Sequence, residues 1–224
     1  MIIYVTMSHI MVTAGRPRKS SIDDAILLAT AELISERGYA RLTVGAIIER
    51  AGTNKPAFYR RFQNVAEVVP HVLAYRHGVD TDIDTGSLVD DLIEVQRRQK
   101  SLFTDPVVTR GIAGWLAEVE ADPELGRPFF EHYLGPRRAY TRVILERAAY
   151  RGEITQVGDS AWIADLLTGP LLMRVAFPGM PPIDGALLAL TIHSALDSLG
   201  YSGDRLPLSS LDRAQERRIA GDSL

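Results

Sequence analysis

The apolar residues of the stretch 22–34 fall at Ile22, Ala25, Ile26, Ala29, Leu33 and Ile34. This is the i, i+3, i+4, i+7 stripe that a helix gathers onto one face and a strand scatters over two. The same period returns over roughly 87–103, 106–120, 123–150, 159–177 and 184–199, separated by "TDP", "ADPELGRP", "RGEITQVGD" and "FPGMPPIDG". No alternating run of β-branched residues is long enough for a sheet, and no internal repeat is visible. The expected fold class is all-α.

Near the front the helices are short and closely punctuated. Ser20 or Ser21 can cap a first helix over about 21–37, which Gly38 ends. Thr43 can cap a second, "VGAIIERA", stopped by Gly52; its apolar face is Val44, Ile47 and Ile48. Thr53 is then placed to cap a third, with Pro56 in the first turn, where a missing amide has no helical partner to lose. Two short helices joined by a tight glycine-containing turn form a helix-turn-helix unit. Phe58 and Phe62 lie four apart and should pack inward, leaving Asn54, Lys55, Ala57, Tyr59, Arg60 and Arg61 outward or sideways as a surface that reads DNA. For Arg61 plain solvation is the competing reading, because so short a helix cannot turn all its cations to one groove.

Charge agrees with this placement. From Arg16 to Phe62 there are nine cations against five carboxylates, about +4 on a chain of net charge −3, which leaves about −7 for the rest. A basic front on an acidic body points to a polyanion partner, although a solvated face has the same composition. With no cysteine in 224 residues, neither disulfides nor a zinc-thiolate site can form, which suits a cytoplasmic location. No apolar run is long enough for a membrane helix, and "MIIYVTMSHIMV" lacks the basic region and cleavage site of a signal peptide.

"GRPR" followed by "ILLATAELISERGYARLTVGAIIERAGTNKPAFYRRFQN" resembles the DNA-binding region of TetR-family transcriptional regulators, in order and spacing, over about 50 residues. Val65 departs from the family, in which many members carry a lysine there; Asn54 and Phe58 stand where Ser and Leu are usual. The resemblance implies an N-terminal three-helix helix-turn-helix domain and a larger helical C-terminal domain for ligand binding and dimerisation. It implies a homodimer on a pseudopalindromic double-stranded DNA operator, acting as a repressor and released by a small-molecule effector, with no cofactor and no membrane. Tyr59 and Thr43 look like the family's phosphate contacts. Lys55 is expected to reach guanine or phosphate, Asn54 a base edge or phosphate, and Arg60 the backbone, with Thr53 and Ala57 in the same surface. Arg16, Arg18 and Lys19 form a basic arm for the minor groove or flanking phosphates.

The expected division is a disordered N-terminus over 1–15, the DNA-binding domain over 16–64, a regulatory and dimerisation domain over 65–200, and a tail over 201–224. Pro70 should kink the connecting helix "VAEVVPHVLAYRHGVD" unless that helix starts later, and "TDIDTGS" is the clearest break. "SAWIADLLTGPLLMRVAF" is apolar nearly all round and "GALLALTIHSALDSLG" has a broad apolar face, as an interface between two copies requires, or a central core. Phe103, Trp115, Phe130, Tyr133, Trp162 and Met173 are candidates for a ligand pocket, as are Phe129 and Phe177; most are also ordinary core residues. An enzyme reading finds little support. The terminal "GDSL" has no helix after it, and His71 and His77 are six apart, off a shared metal-binding face. A helical adaptor without DNA binding would leave the basic front unexplained.

Overall fold

The computed structural model describes residues 21–204. The N-terminal segment, the basic arm Arg16, Arg18 and Lys19, and the tail beyond 204 lie outside the described residues. Within them the chain is all-helical: α1 Ile22–Arg37, α2 Val44–Arg50, α3 Lys55–Tyr59, α4 Val65–His77, α5 Leu88–Thr104, α6 Pro106–Ala121, a short α7 Arg127–Phe129, α8 Gly135–Tyr150, α9 Ser160–Ala176 and α10 Gly185–Ser198.

The caps explain most boundaries. Ser21 closes a capping box on α1, its Oγ accepting from the Asp24 amide while the Asp24 carboxylate accepts from the Ser21 amide. Thr43 caps α2 through the Ala46 amide, as expected. The cap of α3, however, is Asn54 and not Thr53: Asn54 Oδ1 accepts from the Ala57 amide at 2.9 Å. Thr53 is committed to the preceding helix, its amide donating to the Ile48 carbonyl at 2.9 Å. Gly52 takes the left-handed φ of 62° that this closing turn requires.

The expected single helix over 123–150 is broken. A 3-10 turn at Pro123–Leu125 and α7 lead into a π-helical turn, Phe130–Leu134, before α8 begins. Pro136 has no amide to return to the preceding turn, and the Gly135 amide instead reaches the Phe130 carbonyl five residues back. A β-carbon on residue 135 would stand 2.6 Å from that carbonyl oxygen, so the turn requires glycine.

Nor does Pro70 delay α4. The helix starts at Val65, capped by Asn64, and carries buried Pro70 in its second turn. A proline there withholds the amide that would bond the Ala66 carbonyl, and Trp115 Nε1 of α6 donates to that oxygen at 3.0 Å. At the other end of α4, Arg76 and His77 both donate to Asp105 Oδ2, at 2.7 Å (Arg76 Nη2) and 2.9 Å (His77 Nε2). Asp105 also caps α6 through the Val107 amide. α6 is thus clipped to α4 at both ends. It is tied to α1 as well, through Arg110 to the Ser35 carbonyl and through Tyr39, just after α1, to Glu118.

Two apolar clusters result. The first joins Ile26, Ile34, Ile47, Phe58, Val68 and Val72 of the front helices to Phe103, Val107, Trp115, Tyr133, Leu171 and Leu188. The second holds Leu88, Leu92, Ile144, Ile163, Leu167, Ile192 and Leu196. α4, which the sequence reading places with the regulatory part, packs with α1 in the first cluster. No helix among the described residues is long and apolar enough to cross a membrane.

Candidate nucleic-acid interface

α3 is anchored from beneath. Phe58 and Phe62 are buried with ring centroids 5.8 Å apart, and the Tyr59 ring meets Phe58 edge-on at 5.5 Å. That contact holds Tyr59 outward, 54% exposed, on the side away from the core. Lys55 and Arg60 are exposed and form no ion pair with another described residue. Asn54 is exposed too; because its Oδ1 is spent on the cap, its Nδ2 is the atom left to donate outward. Thr43 keeps its hydroxyl proton after capping α2, and Thr53 is half-buried.

Ala57, expected on this surface, is only 5% exposed and packs inward; it shares the inner side of α3 with Phe58. Arg61 points sideways for a reason the sequence does not show. It pairs with Asp23 of α1 and donates to the Ala57 carbonyl at 2.9 Å, which makes it a strut between α3 and α1. Arg50 is likewise held, by Glu32 at 3.0 Å and Glu36 at 2.9 Å. The Arg50 hydrogen bond lowers the Glu36 carboxyl pKa. Spacing alone misses both pairings, since they join residues 38 and 14 to 18 positions apart.

The six pocket candidates do not converge. Phe103, Trp115 and Tyr133 are buried in the first cluster. There Phe129 bridges the two others, 4.9 Å from Trp115 and 5.4 Å from Tyr133. Burial raises the Tyr133 hydroxyl to about 12. Phe130, Trp162 and Met173 are exposed, the last two along the outer side of α9 with Phe177. A surface crevice of about 360 Å³ lies between α1 and α2, lined by Leu33, Arg37, Ala46, Glu49 and Arg50. Among the described residues no cluster of metal-ligating side chains is present.

Comparison with known proteins agrees with this geometry. Residues 26–72 match the family model described as bacterial regulatory proteins, tetR family. Residues 82–195 match that of the tetracyclin repressor-like C-terminal domain. The chain is 34% identical over 182 residues to the uncharacterized HTH-type transcriptional regulator Rv1556 of Mycobacterium tuberculosis (strain ATCC 25618 / H37Rv), covering 79% of this chain and 87% of that one. It is 27% identical over 199 residues to the DNA-binding transcriptional repressor TetR of Mycobacteroides abscessus, covering 87% of this chain and all of that one. Among solved structures, the TetR family transcription regulator SCO0332 superposes with a TM-score of 0.64 at 25% identity, over 79% of this chain and 97% of the other. The chain belongs to the TetR family of helix-turn-helix, DNA-binding transcriptional regulators.

Proposed function

We propose that the protein is a repressor that binds a pseudopalindromic operator as a homodimer and lets go when a small molecule occupies its C-terminal half. One observation carries the DNA-binding part. Phe58 of α3 is buried, while Lys55, Tyr59, Arg60 and the free amide of Asn54 stay exposed, with Asn54 and Lys55 at the N-terminal end that enters a major groove. In this reading Thr43 and Tyr59 hold phosphates, Lys55 and Asn54 meet base edges or phosphates, and Arg60 pairs with the backbone. Arg16, Arg18 and Lys19 supply the flanking arm.

Pairing of two copies is supported by the apolar stripe of α9, with Trp162 54% and Met173 48% exposed beside Phe177, and by Leu190 of α10 at 55%. Exposed large apolar side chains on both of the last two helices fit a two-fold four-helix contact. Repression is favoured by the likeness to the DNA-binding transcriptional repressor TetR of Mycobacteroides abscessus. The test is footprinting upstream of the protein's own gene. Protection of two inverted half-sites, spaced by about one helical turn or somewhat more, is the expected result. A purified protein that protects no duplex at low salt would sink the reading.

A further inference from the structure

The two apolar clusters meet at a polar seam. On α5 it holds Gln96 and Gln99, between Leu92 of the second cluster and Phe103 of the first. On α9 it holds Thr168, between Leu167 and Leu171, and on α10 Thr191, between Leu188 and Ile192. Gln96 and Thr191 are buried.

The hydrogen bonds at Gln96 allow only one assignment. The Thr191 hydroxyl donates to the Leu188 carbonyl at 2.8 Å, so its oxygen accepts from Gln96 Nε2 at 2.8 Å. The other Nε2 proton goes to the Leu167 carbonyl at 2.9 Å. A carbonyl cannot donate, so the amide cannot be turned over. Gln96 Oε1 is consequently buried with no donor. Gln99 repeats the pattern one turn on: Nε2 meets Thr168 Oγ1 at 3.1 Å and Oε1 has no partner. Whichever way that amide turns, one end is unmatched. A fully buried orphan acceptor is destabilising, and two on one helix face call for an explanation.

We propose that this seam is the recognition point for the effector, and that the effector is an uncharged, largely apolar molecule carrying a hydroxyl or amide N–H that donates to Gln96 Oε1, with Gln99 as a second contact. The proposal rests on the reading of the protein as ligand-responsive. An anion would face acceptor oxygens, and Gln96 and Gln99 carry no charge to pair with a cation, while the buried Asp91 carboxylate further along α5 faces Arg151 at 3.7 Å. Position supplies the consequence: the first cluster carries the DNA-reading helices and the second carries most of the α8, α9 and α10 packing. A molecule seated between them favours whichever relative arrangement of the two accommodates it.

The test uses full-length protein, its Gln96→Met variant and, as a second variant, Gln99→Met. Thermal unfolding is followed with millimolar 1-octanol or octanamide as donors, and with methyl octyl ether and octanoate as controls. Without additive, the Gln96→Met midpoint serves as that variant's own baseline, because the change removes the orphan acceptor and the two Nε2 hydrogen bonds together. The donors should raise the wild-type midpoint, the controls should not, and Gln96→Met should lose the response while Gln99→Met weakens it. The proposal is overturned by equal shifts from alcohol and ether, by an undiminished response in Gln96→Met, by no shift from either donor, or by a crystal grown with 1-octanol that shows only water at Gln96 Oε1. Operator footprinting of the same proteins keeps the two readings apart, because a site that fails here leaves protected half-sites untouched.

Discussion

Lys55 and Arg61 stand six positions apart on one cationic segment, yet their neighbours give them different work. Arg61 is spent on Asp23 and the Ala57 carbonyl, and Arg50 on Glu32 and Glu36, so neither is free for phosphate in the conformation seen. Lys55 has no such partner among the described residues. Lys55→Ala should therefore weaken operator binding and lower the salt slope of log K by about 1, with an unchanged unfolding midpoint. Gel-shift titration at several salt concentrations reads the first, and a thermal melt the second. Arg61→Ala should show the reverse, a lowered midpoint with a nearly unchanged salt slope. Lys55→Ala leaving both affinity and slope intact would remove it from the interface.

At the scale of elements, the join between α4 and α6 is the most specific construction in the chain. Pro70 frees the Ala66 carbonyl and Trp115 takes it. Trp115→Phe keeps a ring in place but leaves that oxygen buried and unbonded, and should destabilise by about 1–3 kcal/mol in urea unfolding. Adding Pro70→Ala to that variant supplies the missing amide and should recover most of the loss; if both backgrounds lose equally, the bond is not the cause. The other clip is acid-sensitive. Burial would raise the Asp105 carboxyl, but the Val107 amide and the Arg76 guanidinium outweigh it, helped by His77, and hold it below its usual 3.8. A carboxyl depressed on folding adds stability that is fully present above its unfolded value and is lost as pH falls through the folded one. Asp105→Asn keeps the cap and deletes the charge. It should lose about 1–2 kcal/mol near neutral pH, a modest figure because Arg76 is 37% exposed, and its stability should fall less steeply below pH 4. Helix periods, caps at Ser21 and Thr43 and the buried pair Phe58 and Phe62 were legible in the sequence because each depends on residues within four positions of one another. The partner of Trp115, the strut of Arg61 and the seam at Gln96 were not, since each depends on residues brought together from 38 to 95 positions away. The break at 126–136 lay between, its glycines and prolines in plain view but their π-helical outcome set by the missing Pro136 amide.

For the whole molecule, packing divides the chain differently from its punctuation. The front helices, α4 and α6 share one core, to which α5, α9 and α10 add Phe103, Leu171 and Leu188. In the proposed dimer the outer surface of α9 and α10 is then left for the second copy. Leu190→Glu places a carboxylate on that exposed surface and should raise the dissociation constant of the proposed dimer by at least about 30-fold, measured by analytical ultracentrifugation. An unaltered dimer would move the contact elsewhere. The chain has two tryptophans, one at the join of α4 and α6 and one on the face proposed for pairing. Trp115 is sealed against α4, whereas Trp162 stands half in solvent on α9. Excited together, they give one emission spectrum with two readable parts. A blue component closed to acrylamide reports on the join of α4 and α6, and a red component open to the quencher should shift blue if the proposed pairing covers it.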